Sequence, residues 1–157
     1  MPKTQAEIRR QLGVIESDER MFAGLGPEDV DVLKALLDDE EAWLAARSVH
    51  ALSRIDADDA RAAVRAAAGS SRMELRTAAA VAAPRLPTDL SDAVLGALLK
   101  DTSAAVRKFA VAAVSDRNSP AVRRQIDQTA TTDPNLRLRG IARNKADDLG
   151  TNGAQGG

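Results

Sequence analysis

The stretch Asp101-Thr102-Ser103-Ala104-Ala105-Val106-Arg107-Lys108-Phe109-Ala110-Val111-Ala112-Ala113-Val114 decides the fold. A helix-capping acid stands ahead of an apolar residue beside an Arg, and an Ala-rich run follows. The same order recurs on either side. Upstream it reads Ser70 … Leu75-Arg76 … Ala82-Ala83 … Leu86, and before that Asp39 … Leu44-Ala45 … Ala51-Leu52 … Ile55. Downstream it reads Asp133 … Leu138-Arg139 … Ala146 … Leu149. The leading residues lie 31, 31 and 32 positions apart. A fixed period in this range marks a repeat architecture, in which each unit buries its apolar face by stacking on its neighbours. The expected fold is an all-α, right-handed α-solenoid of about four helical hairpins.

Working outward, the first helix of each hairpin carries aligned apolar sites: Leu33, Leu36 and Leu37; Val64, Ala67 and Ala68; Leu95, Leu98 and Leu99; and a weaker set, Val122, Ile126 and Ala130. Start signals for these helices are Asp56 with Asp59, Thr88 or Ser91, and Ser119 before Pro120. The second helices are expected to start at Asp39, at Ser70 or Ser71, at Asp101 and at Asp133, with Ser71 and Glu74 forming a capping box. Thr4 and Glu7 read as another capping box, opening an N-terminal helix with Ile8, Leu12 and Ile15 on one face. The organisation expected is a capping segment over 1–26, the repeats over 27–149 and a disordered tail over 150–157, which has no apolar anchor.

The Asp-to-Arg spacing with an Ala-rich second helix resembles HEAT repeats, and the short period is most similar to HEAT-like units of the phycobilin-lyase type. The resemblance spans roughly Pro27 to Leu149. It implies that Asp and Arg form a ladder of hydrogen bonds between stacked units. The matching residues here are Asp101 with Arg107, Asp133 with Arg139, and Arg76 without its acid; Ala45 replaces the Arg in the first unit. It also implies that second helices line the concave side. The match to HEAT-like metal hydroxylases fails at their ligands, because no His-Glu pair exists.

Composition narrows the chemistry. The chain has no Cys and no Tyr, one Trp (Trp43), two Phe (Phe22 and Phe109) and one His (His50). Disulfides, Cys-ligated zinc and thiol catalysis are excluded, and no nucleophile–base pair of the Cys–His kind can form. No apolar run is long enough to span a bilayer and the N-terminus lacks a signal-like segment, so the expectation is a cytoplasmic protein without membrane contact. The near-zero net charge of −1 hides a segregation. The second-helix segments 42–55, 72–86, 103–117 and 135–149 each net +2, whereas the first-helix stretches together net −9.

Turning each second helix at 100° per residue places the core at −1, +3, +4 and +7 from the ladder position. The opposite arc then holds Trp43, Arg47, His50, Arg54, Val81, Arg85, Phe109, Arg137 and Ile141, with Lys108 beside it. An apolar strip with a basic rim suits an acidic or amphipathic protein segment. The alternative is that the arc is one turn off and these side chains are core. The function expected is a non-enzymatic interaction module: an adaptor, scaffold or regulatory subunit with no cofactor and no metal. Two other readings stay open. One is duplex nucleic-acid binding through the second-helix Arg residues, against which the absence of Tyr counts. The other is a small-molecule or lyase-type enzyme on the same scaffold. A second copy of the chain is a further candidate occupant of the strip.

Overall fold

The computed structural model describes the backbone of residues 1–155 and the side chains of residues 1–150. Among the described residues it is all-helical: α1 (Gln5–Leu12), α2 (Val30–Leu36), α3 (Ala42–Leu52), α4 (Asp58–Ala67), α5 (Met73–Ala82), α6 (Thr88–Leu98), α7 (Ala104–Ala113), α8 (Pro120–Thr132) and α9 (Leu136–Gln155). Short 3-10 turns cover Glu19–Phe22, Pro27–Asp29 and Ala83–Arg85. The tail expected over 150–157 falls partly in the last turns of α9 and partly outside the described residues.

Hairpin partners pack together as α2 on α3, α4 on α5, α6 on α7 and α8 on α9. Between hairpins, α3 packs on α5, α5 on α7 and α7 on α9, while α2 contacts α4, α4 contacts α6 and α6 contacts α8. The α1 helix closes one end against α2 and α3. Its Thr4–Glu7 capping box is formed: Thr4 Oγ1 accepts from the Glu7 N–H and the Thr4 N–H donates to Glu7 Oε2. Gly13 ends this helix one turn earlier than expected, so Ile15 leaves the apolar face and stands 98% exposed.

The small side chains explain the close helix packing. In α3, Leu44, Ser48, Val49 and Leu52 are fully buried; in α5, Leu75, Ala79, Ala80 and Ala83 of the following turn are buried; in α7, Val106, Ala110 and Val111 are buried, with Val114 just beyond. These are the −1, +3, +4 and +7 positions. In α9 the register holds for Leu138 and Ala142 but gives Arg143 at +4, which is exposed.

The residues expected to cap the second helices do something else. Asp39, Ser70, Asp101 and Asp133 each accept a hydrogen bond from the backbone N–H two positions on, at 2.9, 3.1, 2.9 and 2.8 Å. These are tight side-chain turns. The helices begin beyond them, capped at Glu41, Arg72 and Ser103, and α9 begins at Leu136. The Ser71–Glu74 capping box does not form, because Arg72 is the cap and contributes no side-chain bond. In the two later units the turn fixes the aspartate beside the preceding unit's Arg. Arg76 Nε donates to Asp101 Oδ2 at 2.8 Å and Arg107 Nε donates to Asp133 Oδ2 at 2.8 Å. Arg76 is therefore not without an acid; its partner comes from the next unit. Arg107 likewise pairs forward with Asp133, while its Nη1 donates to the Asp101 carbonyl at 2.8 Å. Arg139 donates to the Asp133 carbonyl.

The rung between the first two units is missing on both sides, with Ala45 and Ser70 at the two positions. Arg72 substitutes by reaching back to the Leu37 and Asp39 carbonyls. Asp39 is paired instead with Arg9 from α1.

Candidate functional site: the groove along the second helices

Three adjoining depressions run along α3, α5, α7 and α9. The largest, about 690 Å³, lies between the Ser17–Phe22 segment and α3, and takes in Trp43, Arg47, His50, Arg54 and Val81. The next, about 380 Å³, shares Ala46, His50 and Val81 with it and continues to Met73 and Phe109. The third, about 260 Å³, shares Ala105 with the second and ends at Lys108, Arg137 and Ile141. Shared lining residues place the three side by side along the second helices, as segments of a groove.

Helical geometry exposes the large apolar side chains here. Trp43 is 44% exposed, Val81 45% and Phe109 41%. Ile141 is only partly buried and packs against the core edge. Ala78, one turn before Val81 in α5, is buried. Met73, also 45% exposed, joins the strip, and its sulfur accepts from Ser103 Oγ at 3.4 Å.

The expected cationic rim is largely engaged within the molecule. Arg47 donates to the carbonyls of Leu12 and, at 2.8 Å, of Val14, closing the C-terminal end of α1. Its guanidinium also lies 5.3 Å from the Trp43 ring. The Trp43 indole N–H donates to Glu41 Oε2 at 2.6 Å. Arg54 is held by the His50 carbonyl at 2.7 Å and covers the Phe22 ring at 3.9 Å. It grips Glu19 through Nε and Nη2 at 2.9 and 2.5 Å. Arg85 joins the same carboxylate at 3.1 Å. Lys108 and Arg137 are exposed at the far end.

Electrostatics follow from this arrangement. Hydrogen bonding by Arg54 holds the Glu19 carboxyl below its ordinary range, assisted by the charges of Arg54, Arg85 and His50. Burial pushes the His50 pKa down, and the nearby Arg54 and Arg85 push it further, against an opposing pull from Glu19.

Glu19, Met21 and Phe22 also line the groove, outside the reach of the helical period. They belong to the non-periodic segment before the repeats, and only its apolar and acidic composition could have hinted at them. Among the described residues, no three His, Cys, Asp or Glu side chains gather as a metal-ion site, and within the Asp38–Glu41 run Asp39 pairs with Arg9 and Glu41 with Arg9 and Trp43. No described helix is long and apolar enough to cross a membrane. No protein-family model matches the chain, and no curated protein matches it significantly.

Proposed function

We propose that the chain is a HEAT-like α-solenoid acting as a non-enzymatic interaction module, and that its groove holds a segment of a partner protein. The observation that carries this reading is the exposure of Trp43, Val81, Met73 and Phe109 along adjoining depressions of a chain that has one Trp, two Phe and no Tyr. Exposed apolar surface of this kind is costly to leave in water and is characteristic of docking sites. The neighbour-to-neighbour helix packing and the forward Arg–Asp rungs support the repeat reading. A duplex nucleic acid is less well served, because Arg47, Arg54 and Arg85 already have carbonyl or carboxylate partners.

A photo-crosslinking amino acid placed at Val81 or Phe109 tests the reading in the native cell. Groove positions should each crosslink to the same protein, and the outward position Lys100 should not. Equal labelling from both faces overturns the reading.

A further inference from the structure

We propose that Arg54 and Arg85, backed by His50, form a carboxylate-binding subsite at the α1 end of the groove, that its partner ligand is a peptide with an acidic residue just ahead of apolar ones, and that Glu19 fills the subsite in cis until that peptide arrives. This rests on the reading of the groove as a docking surface and deepens it.

The geometry is that of ligand recognition. Arg54 presents two nitrogens to the two oxygens of Glu19 and Arg85 adds a third contact. Fork-like contacts of this kind select a planar carboxylate. The guanidinium of Arg54 is pre-positioned without Glu19, by the His50 carbonyl on one side and the Phe22 ring below. The segment that supplies Glu19 resembles a bound peptide. Glu19 leads into Met21, which is buried, and Phe22, which packs against the core. Its backbone is tied down by Gln11, whose side-chain amide donates to the Met21 and Ala23 carbonyls at 2.8 Å each, and by Lys3, whose Nζ donates to the Gly24 carbonyl at 2.6 Å. Beyond it the chain turns at Gly24, whose φ of +71° favours glycine.

Glu19 is suited to exchange. Its side chain is 68% exposed, whereas Arg54 is 18% exposed. Losing an exposed carboxylate costs little, and a partner carboxylate arriving in its place leaves neither Arg uncompensated. The apolar strip continues from this point through Trp43 and Val81, so a peptide anchored by its acid would run its apolar side chains along the groove. The groups at the subsite are Arg54, Arg85, His50 and Glu19 itself, with Asp18 and Arg47 lining the same cleft and Asp56 and Arg61 beside the two Arg residues.

Trp43, the only Trp, lines the same cleft and reports binding by fluorescence. The probe is a synthetic peptide copying residues 17–25, titrated into the full-length protein and its Glu19→Gln variant, each first shown to melt alike. Removing the internal competitor should tighten binding about three- to tenfold. A peptide whose own Glu is replaced by Gln should lose that gain, as should Arg85→Gln in the Glu19→Gln background. The single imidazole gives a second readout: its NMR titration should move to lower pH in Glu19→Gln and return when the acidic peptide binds. Equal affinity in both proteins, or no preference for the acidic peptide, overturns the proposal. Val81→Glu separates the two levels. Binding that depends on Val81 but not on Glu19 ends the in-cis occupancy alone, while binding indifferent to Val81 ends the groove reading beneath it.

Discussion

Two regions of this molecule use arginine and carboxylate in the same bidentate way and to different ends. At the seams between later hairpins, Arg76 meets Asp101 and Arg107 meets Asp133, with side-chain exposures of 17 and 8% and of 11 and 5%. In the groove, Arg54 and Arg85 meet Glu19, which is 68% exposed. The seam carboxylates are pinned by a turn in their own backbone and their Arg partners also satisfy loop carbonyls. The groove carboxylate sits on a short 3-10 turn and is held by two Arg side chains, Arg54 and Arg85, in place of a turn in its own backbone. Satisfaction and burial separate an architectural ion pair from an exchangeable one.

Breaking a seam should have the largest effect. Asp133→Ala strands a mostly buried Arg107 and should cost about 3 kcal/mol in urea unfolding. Replacing both partners, as Arg107→Met with Asp133→Leu, should recover much of that loss. A cost below about 1 kcal/mol for Asp133→Ala would erase the contrast with the groove.

Acid should find the same seams. Burial pushes the Asp101 and Asp133 carboxyls up, but hydrogen bonds from Arg76 and Arg107 and from the Ser103 and Asn135 N–H groups outweigh it, leaving both below the ordinary range. Their folded values being lowered, the stability they confer is complete above the unfolded value near pH 4 and is lost as pH falls below about 4. Unfolding midpoints measured down this range should fall more steeply for the native protein than for the Arg107→Met, Asp133→Leu pair.

A smaller loss is expected where the rung is absent. Arg72→Ala removes two bonds to the Leu37 and Asp39 carbonyls and should cost about 1 kcal/mol. His50 adds a mild trend of opposite chemistry. Its folded pKa is lowered, so the unfolded chain takes up the proton first and stability declines as pH drops through about 6.5. His50→Gln should flatten that portion of the curve. Smallest of all in stability, Val81→Glu should shift unfolding by under about 1 kcal/mol while removing groove crosslinks, since the side chain is 45% exposed.

Much of this was legible along the chain, because the helical period carries burial directly. Leu44, Leu75 and Val106 follow the repeat and are core, and Trp43, Val81 and Phe109 follow it to the surface. The pairing of Arg76 with Asp101 was not legible within one repeat, since the acid belongs to the following one and lies 25 residues away. The cap positions were misplaced because an Asp that closes a two-residue turn and an Asp that caps a helix look alike in sequence. The groove's far wall escaped for a different reason. Glu19 meets Arg85 across 66 residues, from a segment with no periodicity to betray where it docks.

The solitary indole also has a thermodynamic consequence. Trp43 sits in the first hairpin, with a Glu41 acceptor and the Arg47 cation beside it, so its emission senses only that end of the molecule, whereas far-ultraviolet dichroism averages every helix. Arrays of nearest-neighbour units can melt piecemeal. Heating curves from the two optical signals would coincide if the chain melts as a block and diverge if fraying starts at α9, so the protein carries a built-in thermometer at one terminus.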